Sequence, residues 1–175
     1  MPLLLQLSKL IDAVNERVGR TCYWLILVVV VISAGNAIVR KLFSVGSNAF
    51  LEIQWYLFAA VFLLCAGYTL KHNGHVSIDV ISNRLSAKTR AIIEIVGGVL
   101  FLLPFAILVV YLSWPQFLLS LHETSSDAGG LIRWPVRILI PLGFALLALQ
   151  GISEIVKRVA FLQGLLPSPF EKNRT

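Results

Sequence analysis

Long apolar runs alternate with short polar clusters along this chain, and the runs are long enough to cross a bilayer. The clearest occupy residues 22–39, 53–70, 91–114 and 135–152. A helix needs roughly 20 largely apolar residues to traverse a hydrocarbon core of about 30 Å. The first run has 18 residues without a charge, and the others meet charge only near their ends. The pattern predicts an all-α integral membrane protein of four helices over residues 22–163. The spans fall at about 22–39, 49–70, 91–114 and 135–152, with the last helix running on to about residue 163.

The flanks follow the helical period as well. Leu3, Leu7, Leu10, Ile11, Val14 and Val18 recur at helical spacing, while Lys9, Asp12, Glu16 and Arg17 fill the remaining face. Residues 1–21 are therefore expected to form an amphipathic interfacial helix that continues toward the membrane; a helix packed on a partner is the other reading. Residues 75–85 form a second amphipathic piece, with Val76, Val80, Ile81 and Leu85 on one side. Ser86 suits the N-cap of the third span. Gly97, Gly98 and Pro104 interrupt that span, which in lipid signals close packing or a kink. The small residues over 33–37 point to close helix packing rather than to a signal cleavage site, so the first span is expected to be retained. A loop is expected over residues 115–134, closing at Pro135, where proline can begin a helix. Gly164 and Pro167 stop the last helix and leave residues 164–175 as a tail.

Composition agrees. Mean hydropathy is +0.82, and only 14% of residues are charged, so no segment remains for a separate soluble domain. A net charge of +6 would suggest nucleic acid in a soluble protein. Here the basic residues flank the spans and point to anionic lipid headgroups instead. Eleven of them (Lys9, Arg17, Arg20, Lys71, Arg84, Lys88, Arg90, Lys157, Arg158, Lys172, Arg174) fall on one side of the predicted spans. Arg40, Lys41, Arg133 and Arg137 fall on the other. The positive-inside rule then places both termini in the cytoplasm. Trp24, Trp55, Trp114 and Trp134 all sit at predicted interfaces, where tryptophan concentrates. Cys22 and Cys65 lie in or beside spans, so no disulfide framework is expected.

Glu52, Glu94 and Arg137 are ionisable residues near span ends, where their cost in lipid is lower than at a helix centre. Glu52 is expected to pair with Arg137 or Arg133, and Glu94 with Arg158 or Lys157. Contact with a partner subunit or direct ion handling are the other uses such groups find. His72 and His75 with Asp79 are only a weak metal constellation, and no histidine lies inside a span where haem ligation would need it. Phosphate-binding glycine loops, nucleophile elbows and HExxH motifs are absent. The chain does not read as an enzyme, and no cofactor or metal is expected.

The stretch over residues 51–85, LEIQWYLFAAVFLLCAGYTLKHNGHVSIDVISNRL, resembles the small membrane subunit of tripartite ATP-independent periplasmic (TRAP) transporters, the DctQ-like family. The carrying positions are Glu52 at the start of the second helix, then His75, Val76, Ile78 and Asp79 in the following loop. The resemblance continues through residues 86–90, the loop over 129–135 and the end of span four at 150–154. It implies a bacterial inner-membrane subunit without its own substrate site. Its partners would be a large multi-span membrane subunit and a periplasmic solute-binding protein. Together they would import an organic acid-type solute, driven by sodium. Candidate partner-contact residues are Glu52, Trp55, Arg133, Trp134 and Arg137 on the outward side, and His75 and Asp79 inside. A local hydrogen bond serves the last two equally well. Two alternatives are a small four-helix multidrug exporter, which would require a carboxylate inside the first span, and the membrane anchor of a respiratory enzyme.

Overall fold

The computed structural model describes residues 2–44, 48–72, 85–125 and 130–167. It contains four helices long and apolar enough to span a membrane: α1 (Pro2–Phe43), α2 (Asn48–Lys71), α3 (Ala87–His122) and α4 (Trp134–Leu162). The amphipathic segment over residues 75–85 falls almost wholly outside the described residues.

Helix α1 is continuous over 42 residues. At 1.5 Å per residue it is about 63 Å long, roughly twice the hydrocarbon thickness. Nothing breaks it where the amphipathic stretch meets the apolar run. Its buried positions are Ser8, Asn15, Gly19, Cys22 and Val29, spaced so that they form one seam along the rod. Leu3, Leu7, Leu10 and Val14 are exposed on the opposite side. The amphipathic half thus turns Ser8, Asp12, Asn15 and Glu16 toward the bundle and its leucines, with Lys9 and Arg17, outward. Lipid is as apolar as leucine, so helices gain little by burying leucine against each other and more by closing small and polar residues together.

Small residues set the spacing of the bundle. A Cβ added to Gly143 of α4 would lie 2.6 Å from the Leu63 carbonyl oxygen of α2. One added to Gly67 of α2 would lie 2.2 Å from Asn15 Oδ1 of α1. The expected close packing around Gly35 does not occur among the described residues, since none of them lies within 4 Å of a Cβ there. The contacts use Gly143, which faces α2, and Gly67, which faces α1, instead.

Ser86 caps α3, its hydroxyl accepting the Thr89 N–H at 3.2 Å. Residues Gly98–Leu102 widen into a π-helical turn, with the Leu103 N–H reaching back to the Gly98 carbonyl. Pro104 follows at once. This is how the glycine–proline interruption is accommodated without ending the helix. The loop expected from Pro115 starts later, because Pro115 lies inside the helix Leu103–Leu119, which tightens into a 3₁₀ turn at Ser120–His122. Proline forfeits one intrahelical donor, and the apolar Phe117, Leu118 and Leu119 favour continuing the helix. Pro135 lies in the first turn of α4. The helix closes with the Leu165 N–H on the Ala160 carbonyl and the Gly164 N–H on the Phe161 carbonyl, both at 2.9 Å. Gly164 takes φ +76°, the left-handed cap that glycine reaches without strain.

Helix α4 is the hub. It packs on α1, α2 and α3, whereas α3 makes no extensive contact with α1 or α2 among the described residues. The first half of α1, the ends of α2 and α4 and the start of α3 lie at one end of the bundle, where α3 is held by α4. At the other end an antiparallel bridge, Thr124 to Ile132, ties the connection between α3 and α4.

Candidate functional site

The residues that knit this bundle are polar. Gln150 of α4 is fully buried. Its Oε1 accepts from Asn15 Nδ2 at 3.0 Å, and its Nε2 donates to Asp12 Oδ1 at 2.8 Å and to Glu154 Oε1 at 3.0 Å. One turn on, the Ser153 hydroxyl lies 2.8 Å from Asp12 Oδ1 and 2.7 Å from the Ser8 hydroxyl. Lys157 Nζ then reaches Asp12 Oδ2 at 3.0 Å and Glu154 Oε1 at 2.5 Å. Positions 150, 153, 154 and 157 share one helix face, and on α1 so do 8, 12 and 15, so two complementary polar stripes close on each other. Burial opposes the Asp12 charge. The hydrogen bonds from Gln150, Ser153 and Lys157 outweigh it and hold the carboxyl below its ordinary range.

The belt extends to the other two helices. Arg158 Nε donates to Glu94 Oε2 at 2.5 Å, and its second nitrogen lies 3.6 Å from Glu154 Oε2. Arg90 Nε meets Glu94 Oε1 at 3.3 Å. Glu16 of α1 binds Lys71 at 2.8 Å, His72 at 2.9 Å and Arg20 at 2.9 Å. These donors, Lys71 foremost, then His72 and Arg20, hold the Glu16 carboxyl down to about 2. Asp12 and Glu16 both lie ahead of the apolar run that begins at Cys22. A groove of about 760 Å³ opens where α3 leans on α4, floored by Gly97, Gly98 and Gly151 and ending at the Glu94–Arg158 pair.

At the opposite end, Glu52 is buried in the first turns of α2. Its Oε1 accepts the Tyr56 hydroxyl at 3.0 Å. Oε2 is buried without a donor in good hydrogen-bonding geometry, and Ser125, the Leu131 backbone and Arg133 face the carboxylate from the bridged connection. Arg137 does not take Glu52. It pairs with Glu123 at 3.2 Å and donates to the Gln116 carbonyl at 3.3 Å. A partner on the α3–α4 connection lies closer to hand than one on α2. Trp55 is 70% exposed and Trp134 40%, leaving both indoles open on the surface of this end.

Of the residues singled out in the sequence, Glu94 stands in the belt, and Glu52, Arg133 and Arg137 gather around the bridged connection. His75 and Asp79 lie outside the described residues. His72 is bound to Glu16. Sequence reasoning missed Asp12, Asn15, Glu16, Gln150, Ser153 and Glu154 as a unit. The available signal was two polar stripes at helical spacing, on helices whose other faces are apolar.

Two comparisons bear on this geometry. Residues 26–161 match the family described as tripartite ATP-independent periplasmic transporters, DctQ component. Over 123 residues the chain is 26% identical to a Haemophilus influenzae protein named as a TRAP transporter small permease protein, covering 70% of this chain and 76% of that one.

Proposed function

We propose, from the premise that the chain belongs to the DctQ component family of TRAP transporters, that it braces a large membrane subunit during sodium-coupled import of an organic acid-type solute. The chain is a TRAP transporter small permease subunit, and that family is one of permease subunits rather than enzymes. In the proposed reading a periplasmic binding protein delivers the solute, the large subunit moves it, and this chain stays fixed. The bacterial inner membrane is the proposed location, with both termini cytoplasmic.

The observation that carries the bracing role is the belt. Asp12, Lys157, Glu154, Arg158 and Glu94 link α1, α4 and α3 in one chain of ion pairs, and Glu16 with Lys71 adds α2. Charges committed to each other across helices hold a bundle rigid. The other end offers the proposed docking side for the binding protein, through Glu52, Trp55, Arg133, Trp134 and Arg137. His75 and Asp79 are proposed as contacts on the cytoplasmic side.

The test is reconstitution. Vesicles holding this chain with its large subunit should accumulate solute when given the binding protein and a sodium gradient, and vesicles holding this chain alone should not. Uptake by the chain alone, or full uptake by the large subunit without it, would overturn the reading.

A further inference from the structure

Helix α1 carries two arginines on one face just before its apolar run. Arg17 and Arg20 are both exposed, with Arg20 side-chain exposure at 72%. Thr21 and Trp24 continue the same face at helical spacing. Together with Ala13 and Glu16 they line a hollow of about 470 Å³ on the outside of the helix.

The charges in the hollow are unevenly committed. Glu16 is engaged by Lys71, His72 and Arg20 Nε. Arg20 therefore spends Nε on Glu16 while its side chain stays 72% exposed. Arg17 makes no ion pair among the described residues. The Thr21 hydroxyl donates to the Arg17 carbonyl at 2.9 Å, which leaves its oxygen as an acceptor only. The hollow thus presents guanidinium donors and asks for an anion. Trp24 stands 71% exposed one turn further on, followed on that face by the exposed Leu27, Val28 and Val31.

Read from Arg17 toward Val31, the face runs cation, cation, indole, aliphatic. An anionic phospholipid runs in the same order: phosphodiester, glycerol-ester region, acyl chain. Planar guanidinium groups fit phosphate oxygens in pairs, and indole favours the ester-region depth. We propose that this face is a binding site for one anionic phospholipid, its phosphodiester held by Arg17 and Arg20 and its acyl chain lying along Trp24, Leu27 and Val31. The site depends on α1 crossing the bilayer and is independent of the transport role.

The test uses full-length protein in nanodiscs of phosphatidylcholine with a fixed fraction of phosphatidylglycerol, either lipid carrying brominated acyl chains. The Trp24 signal is the emission lost in Trp24→Phe. Brominated phosphatidylglycerol should quench that signal more than brominated phosphatidylcholine at equal mole fraction. The preference should fall about fivefold in Arg17→Gln and vanish in Arg17→Gln/Arg20→Gln. It should survive unchanged in Arg40→Gln/Lys41→Gln and in the presence of inorganic phosphate. Arg17→Gln breaks no ion pair, so it reads the site without disturbing the bundle. Equal quenching by both lipids, a preference that persists in Arg17→Gln, or equal loss in Arg40→Gln/Lys41→Gln would each overturn the proposal. Displacement by inorganic phosphate would overturn it too, by assigning the hollow to a free anion.

Discussion

Gln150 has a side chain with no exposure that serves three neighbours at once, accepting from Asn15 and donating to Asp12 and Glu154. Gln150→Leu keeps the volume roughly constant but removes one of the two acceptors of the Asn15 amide, leaving only the Ile11 carbonyl at 3.3 Å, and an unmet buried donor costs about 1–3 kcal/mol. Denaturant titration of the protein in mixed micelles should show that loss, and an unmoved midpoint would contradict the role given to this residue. The glycines make a graded series. Gly143→Ala pushes a methyl against the Leu63 backbone and should cost about 1–3 kcal/mol. Gly151→Ala meets mainly the end of the flexible Leu102 side chain, at 2.5 Å, and should cost less; Gly35→Ala meets nothing within 4 Å and should be nearly neutral. Thermal melts in detergent would rank the three, and a reversed order would refute the packing described. At this scale the sequence was least informative. Asp12 and Glu16 read as the polar face of an interfacial helix and Lys157 as a partner for Glu94; only three-dimensional closure shows that Asp12 takes Lys157 and Glu16 takes Lys71.

Helices α1 and α2 are joined at the belt by Glu16, whose carboxyl is held at about 2 against an ordinary value of 4.5. A carboxyl depressed on folding stabilises above its unfolded value and loses that contribution as pH falls through its folded one. The junction should therefore stay intact from neutral pH to about 5 and loosen only as pH drops from 4.5 toward 2. Spin labels on exposed positions of α1 and α2 would report the distance, and loosening already at pH 6 would contradict this. Element boundaries were largely legible, because caps are local chemistry: Ser86, Pro135 and Gly164 act where their residue types predict. The π-helical turn at Gly98–Leu102 and the persistence of α3 past Pro115 were not legible as such. Both depend on how lipid-embedded backbone re-satisfies its carbonyls, which no single residue encodes.

Across the whole molecule, the number of spans and the all-helical class followed from apolar run length alone, since a bilayer sets one dimension for every span. The order of packing did not. That α4 touches every other helix while α3 hangs on α4 reflects where glycines and polar stripes face, a relation between distant segments. Charged stretches of all four helices share one end of the bundle, and with the proposed orientation this makes a further prediction. With Cys22 and Cys65 replaced, a cysteine at Ser86 should be labelled by impermeant reagents only from the cytoplasmic side of oriented membranes, and one at Thr124 only from the other. The opposite pattern would invert the proposed orientation.

The partners of Ser8, Asp12 and Asn15 lie about 140 positions later in the polypeptide. During biosynthesis Glu16 meets Lys71 as soon as α2 is in place, but the side chains of Ser8, Asp12 and Asn15 wait in the opening helix until the ribosome has delivered the fourth. A nascent product halted after α3 would leave those side chains waiting, a mark that quality-control proteases of the membrane could recognise. Synthesis of the fourth helix is thus registered by the fold itself.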